Sequence, residues 1–218
     1  MMAYFENIPN IEYDTKPIQY PFSESDFVVA KNFFRRYQVN PDVFSYSVFF
    51  KQYAIEEGER PDTLADKAYG DPFLDWVIIL TNNLVNPLFD WPLSQYQLRK
   101  YCESNYSDPY GTIRHYETYE IINDVGNVVL KEGLSVDETF YNGTFKYWNG
   151  DEVVQIPGAQ ACRPITIFEY EDQKNEEKRE IFLLKPDYLE SFISDFRKTN
   201  LYQKSSDYIN TRLKKTGV

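Results

Sequence analysis

YAIEEGERPDTLADKAYGDPFLDWVIILTNN, residues 53–83, decides how the rest of the chain is read. Tyr53-Ala54-Ile55 has the β-branched and aromatic character of a strand end, and Gly58 breaks it. Pro61 fits the first position of a helix, where its missing N–H is no loss. Leu64, Ala65 and Ala68 then recur at helical spacing, and Gly70 after Tyr69 stops the run as a C-terminal cap. Asp71-Pro72 restarts at once as N-cap and first position. Phe73, Trp76, Val77 and Leu80 follow at i, i+3, i+4 and i+7, and Asn82-Asn83 closes the segment. The expectation is a strand, a tight turn and two short helices at an angle.

This pattern resembles the LysM module, a strand followed by G-D-T-L, a helix with an Ala pair, and a second helix ending in Asn. Gly58, Asp62-Thr63-Leu64-Ala65, Tyr69-Gly70-Asp71-Pro72, Trp76 and Asn82 carry the match. More narrowly, RPDTLADKAYGDPFLDWVIILTNN is similar to the LysM-like small wedge proteins of contractile-tailed phage baseplates. A weaker echo is Arg114-His115-Tyr116-Glu117-Thr118, and a third is a C-terminal helix after a β-hairpin. The resemblance implies a structural virion subunit that joins neighbouring wedge proteins and links them to the central hub. It implies several copies per virion, other wedge and hub proteins as partners, and interfaces that hold before firing and rearrange during sheath contraction. Synthesis in the host cytoplasm goes with that reading. The alternative it carries is a LysM-type glycan module, gripping peptidoglycan or chitin between residues 57–62 and 82–86. The insertion Glu59-Arg60-Pro61 relative to plain G-D-T-L reshapes one wall of that groove and favours the structural reading.

The second helix poses a packing question. Beside the stripe Phe73, Trp76, Val77 and Leu80, residues Leu74, Ile78 and Ile79 are also apolar. A helix apolar on nearly every side is buried all round. Leu74, Ile78 and Ile79 then need cover from the rest of this chain or from another protein, and they are assigned to a partner interface because a module this small does not cover both faces of one helix.

Composition excludes several functions. The chain has 218 residues, enough for one or two small domains with a real core. Its formal net charge of −11 repels phosphate backbones, and the longest basic run is Lys214-Lys215, so nucleic-acid binding is not expected. MMAYFENIPN shows no signal-peptide pattern, and no apolar run nears the ~20 residues that span a bilayer. Cys102 and Cys162 are expected as reduced thiols, with no metal site and no cofactor. The single histidine, His115, has no partners at triad or metal-ligand spacing, and carboxylate pairs such as Asp62/Asp66 and Glu56/Glu57 occur by chance in an acidic chain. No enzyme is expected. The 19 Tyr and 16 Phe divide between a β-rich core and stable interfaces.

Four stretches follow from the order of signals: an extended arm over 1–26, a LysM-like module over 27–95, a β-rich region over 96–184, and a C-terminal helix and tail over 185–218. The arm carries Tyr4, Phe5, Tyr13, Tyr20 and Phe22 between prolines; it either binds another subunit, the reading adopted for these residues, or packs as an irregular segment on its own domain. Residues 27–39 read as a strand or a short helix, which periodicity does not separate, and a strand is expected over 44–55 after a turn at Asn40-Pro41-Asp42. Trp91-Pro92-Leu93 is the only candidate for the closing LysM strand. Ser94 can cap a helix over 95–102. Hairpins are read over 115–122 with 128–131, around Asn149-Gly150, and over 165–170 with 179–184 around the charged tip 171–178. Pro186 opens a last helix whose Leu189, Phe192, Ile193 and Phe196 share one face; the tail from Thr199 is expected to order only when bound. The class is α+β.

Overall fold

The structure, a computed structural model, describes residues 3–14, 27–35, 37–39 and 48–215. It confirms an α+β chain, which divides into two compact units, 1–91 with 179–218, and 92–178. The first and fourth of the stretches read from sequence, most of the second and the end of the third contribute to one unit.

The first unit begins with one helical turn, α1 (Tyr4–Asn7), and two antiparallel strands, β1 (Asn10–Asp14) and β2 (Phe27–Lys31). Ile8 and Ile11 are buried, so residues 3–14 are packed in their own unit rather than extended for another subunit. Of the two readings of 27–39 the strand forms, and it stops at Lys31, where Asn32 N–H donates to Pro9 O and Phe33-Phe34 turns. Residues 40–47, with the expected Asn40-Pro41-Asp42 turn and the start of the next strand, lie outside the described residues.

β3 (Phe50–Ala54) leads into the decisive stretch. α2 (Pro61–Tyr69) starts where Thr63 Oγ1 accepts the N–H of Arg60 and ends at Gly70, whose φ of 73° is the left-handed cap. The Asp71 carboxylate accepts from Phe73 N–H, but the first turn, Pro72–Leu74, is 3-10, and α3 (Asp75–Thr81) begins after it. Residues in a 3-10 turn advance faster round the axis than in an α-helix. The stripe is therefore rotated. Leu74, Trp76, Val77 and Ile78 are buried, Ile79 and Leu80 are half-buried, and Phe73 is exposed. The expectation that Leu74 and Ile78 face a partner is corrected; this chain's own core covers them. Trp91 does not open a strand. It follows the short helix α4 (Pro87–Asp90) and donates its indole N–H to Glu59 O at 2.8 Å.

The second unit starts with α5 (Gln95–Asn105), where Ser94 and Gln97 exchange side-chain hydrogen bonds with each other's backbone N–H. β4 (Ile113–Thr118) follows, then the small hairpin β5 (Ile121–Ile122) and β6 (Val128–Leu130), then β7 (Ser135–Val136). α6 (Glu138–Asn142), capped by Asp137, precedes the Asn149-Gly150 hairpin of β8 (Thr144–Trp148) and β9 (Val153–Pro157), which is as expected. α7 (Gly158–Ala161) begins where Phe140 O lies 1.9 Å from where a Cβ on Gly158 would sit, so no side chain fits. β10 (Cys162–Thr166) pairs with β4, completing the sheet β10-β4-β7. The expected hairpin over 165–184 is absent. Thr166 and Glu169 form a reciprocal capping box, and the supposed charged tip is helix α8 (Ile167–Glu177), packed on α5.

The chain re-enters the first unit at β11 (Glu180–Leu184), which pairs antiparallel with β3 over five residues. Strand, helix, helix and strand thus run β3–α2–α3–β11, with the whole second unit inserted before the last strand. A 3-10 turn, Pro186–Tyr188, opens α9 (Leu189–Thr199), and Ile193 and Phe196 are buried against Trp76 in the core. The tail is not idle. β12 (Tyr208–Asn210) and β13 (Leu213–Lys215) complete a four-stranded sheet, with β13 parallel to β1.

Candidate interaction surface

The first unit carries an apolar groove of about 670 Å³ between α1, the turn after β2, and α3. Its floor is aromatic. The Tyr4 ring lies 5.8 Å from Trp76 and 6.0 Å from Phe196, while Tyr37 meets Phe196 edge-on at 4.9 Å. Its rim is apolar and open: Phe5 is 56% exposed, Phe33 64%, Phe73 47% and Val85 67%. Exposed Leu88 and Phe89 continue from Pro87 at one end. Contiguous exposed apolar surface of this kind marks sites of protein contact.

Two charged groups stand among these rings. The Arg35 guanidinium donates to Asn200 O at 2.9 Å and lies over the rings of Tyr37 and Tyr202. Asp75 accepts from Trp76 N–H at 2.7 Å, and burial pushes its carboxyl above the usual range.

Of the interface residues expected from sequence, the groove brings together Tyr4, Phe5 and Ile79. Tyr13 is exposed on β1 and is not part of it. Leu74 and Ile78 are core. Tyr20 and Phe22 lie outside the described residues. Phe33, Phe73 and Val85 were missed. Periodicity places Phe73 on one stripe with Trp76, Val77 and Leu80, and only the 3-10 turn Pro72–Leu74 turns it outward.

Several residues of the motif over 53–82 hold the unit together. Asn82 donates to Phe182 O at 2.9 Å and accepts Phe182 N–H at 2.8 Å, so its carboxamide pairs with β11 as a strand would. The Tyr69 hydroxyl donates to Leu184 O, and burial pushes its pKa up to about 12. Tyr53 accepts from Lys67 Nζ and donates to Glu59. These contacts occupy both walls of the expected glycan groove: Trp91 and Tyr53 hold the 57–62 turn, and the Asn82 side chain is spent on β11. The glycan alternative gains no support.

Several of the groups considered for catalysis also make contacts within the chain. His115 Nε2 lies 3.3 Å from Glu117 Oε1 and its ring meets Tyr170 edge-on. Glu57 pairs with Arg179 at 2.6 Å and Glu56 with Lys67 at 3.0 Å. Cys102 and Cys162 are buried free thiols, both pushed up in pKa by burial, and Cys162 donates to Gly158 O. Such thiols are poor nucleophiles.

Comparison with known proteins decides between the readings. Residues 1–199 match the family described as base plate wedge protein 53. The chain belongs to that family. The baseplate wedge protein gp53 of Enterobacteria phage T4 is 25% identical over 189 residues, covering 85% of this chain and 89% of that protein. The family match spans almost all of both units, so neither is a foreign addition to a wedge protein. It places the chain in the tail baseplate of a phage virion, with a structural role.

Proposed function

We propose that this wedge subunit joins neighbouring wedge proteins and links them to the central hub, and that the apolar groove of the first unit is one of its docking surfaces. The observation that carries the reading is the family match over residues 1–199, in a chain whose groove exposes four apolar side chains around an aromatic floor. A few aromatic and Arg side chains buried in well-packed pockets dominate binding energy at protein interfaces. Arg35 and Asp75 give the groove polar marks that fix the register of an occupant. The order β3–α2–α3–β11 supports a LysM-like framework, here recruited to hold protein partners, with the second unit as an insertion before its closing strand. Tyr13 extends the candidate contact surface along β1.

Co-expression with the other wedge proteins of the same phage tests the proposal. The wild-type chain should co-purify with them in a stoichiometric complex. A chain that folds but enters no such complex would overturn it.

A further inference from the structure

The four-stranded sheet of the first unit has two edges that differ in kind. β12 is three residues long, and its register with β13 shifts between Tyr208 and Asn210, so that edge is short and irregular. β2 is five residues, FVVAK, paired with β1 along its whole length without a bulge or a proline. Asn32 N–H donates to Pro9 O, and antiparallel pairing alternates, so Ala30 and Val28 turn their backbone groups towards β1. The N–H and C=O of Val29 therefore face away from the sheet.

Among the described residues, the side chains leave this edge unguarded. Val28 and Val29 point to opposite faces and are 52% and 55% exposed. Lys31 is the only charge in the strand, and its Nζ is turned back onto Ile8 O at 3.2 Å. Natural sheets blunt their edges with charge, proline, bulges or shortness, and β2 has none of these at its centre. The two-stranded sheet of this unit, β3 with β11, is guarded: Lys51 and Gln52 are exposed on β3, and Asn82 occupies the outer side of β11 at Phe182.

We infer that the open edge of β2 takes an added strand from another baseplate protein, with Val29 as its backbone partner and alternate apolar side chains beside Val28 and Val29. The inference rests on the wedge reading and deepens it by naming the form of one partner segment. A second copy of this chain is the weaker occupant on area. Five residues span about 17 Å, and one added strand buries a few hundred Å² at most, well below the roughly 1,200 Å² of a stable interface. A strand offered by a protein already held in the wedge by other contacts needs no such area, because it binds at high effective concentration.

Amide hydrogen exchange of the segment 27–31 tests this, in the free full-length chain and in the wedge assembled by co-expression with the other wedge proteins of the same phage. The Val29 amide should exchange rapidly in the free chain and at least about tenfold more slowly in the wedge. Val29→Pro removes no hydrogen bond within the sheet, so the free chain should keep its melting midpoint while incorporation into the wedge falls about tenfold. Val29→Thr, which keeps the amide, should assemble normally. An amide that stays unprotected in the assembled wedge overturns the inference and leaves the wedge reading standing. Protection already present in the free chain also overturns it; loss of that protection on dilution would assign the edge to a second copy. Failure of the wild-type chain to enter any wedge would remove the reading beneath it. If Val29→Pro does not fold, the exchange comparison on the wild-type chain still decides.

Discussion

The two five-residue ladders β8–β9 and β3–β11 have the same antiparallel form and opposite origins. The first closes across 149–152, a turn written in the sequence as Asn149-Gly150. The second closes only when residue 180 returns to residue 54 after an entire unit has been traversed. A connection roughly thirty times longer is about five doublings, which adds on the order of 3 kcal/mol of closure entropy. The chain offsets this with two asparagines. Asn175 accepts Leu93 N–H at 2.7 Å and donates to Leu93 O at 2.9 Å, so the entry and exit of the inserted unit are held together. Asn82 makes the same pair of bonds to Phe182 at the closing strand itself. A local ladder needs only its turn; a distant one needs its ends delivered and then clamped.

The largest effect expected from this contrast is at Ile78, fully buried beneath the distant ladder. Ile78→Asp places a carboxylate in the core and should cost at least about 4 kcal/mol, enough to unfold the first unit. Trp148→Asp on the exposed face of the local hairpin should shift stability by no more than about 0.5 kcal/mol. The chain supplies its own reporters, since Trp76 and Trp91 are buried in the first unit while the thiols of Cys102 and Cys162 are buried in the second. Indole fluorescence in a Trp148→Phe background follows one unit and thiol labelling the other. Unaltered indole emission for Ile78→Asp would contradict the core assignment.

Next in size are the clamps. Asn82→Leu leaves the N–H and C=O of Phe182 without their partner and should cost about 2–4 kcal/mol, read as a lower urea midpoint for the indole signal. Asn175→Leu should cost a similar amount, read by thiol labelling of the second unit. If neither midpoint moves, the clamps do not matter and the contrast between the ladders fails.

At the local turn, Gly150 has a φ of 121°, and an added Cβ would lie 2.6 Å from the Val125 side chain. Gly150→Ala should cost about 1–3 kcal/mol of strain, confined to the hairpin, with the indole signal of the first unit unmoved.

The smallest effect concerns Asp75, whose pKa burial raises above 3.8. A carboxyl raised in the folded state weakens that state only while it is ionised there. The penalty is present above the raised value, shrinks as pH falls through it, and is gone below the unfolded value. Asp75→Asn should therefore melt slightly higher than wild type near neutral pH and no higher at pH 3; a gain that is equal at both would show that charge is not the cause.

How much was legible followed the same division between near and far. Pro61 and Gly70 bracketed α2, Ser94 capped α5, Asn149-Gly150 made its hairpin and Pro186 opened the last helical segment, because each signal acts within a few residues. No strand opens at Trp91; the strand that pairs with β3 is β11, which lies beyond the inserted unit and out of reach of local signals. Helix α8 was read as a charged hairpin tip, although Thr166 and Glu169 carried a capping box that could have revealed it. For the candidate site, Tyr4, Phe5 and Ile79 were legible as apolar residues needing cover. Phe73 and Leu74 exchanged roles because one 3-10 turn shifted the helical phase, and Phe33 and Val85 sit in turns where periodicity has nothing to say.

The central claim is that the groove between α1 and α3 holds a wedge partner, and Phe73→Asp in the full-length chain tests it most directly. Phe73 is exposed on the rim, so the free protein should keep its melting midpoint and its indole emission. Co-purification with the other wedge proteins of the same phage should fall at least about tenfold, the loss of one interface anchor. A variant that folds and still enters the wedge at the wild-type level would contradict the account.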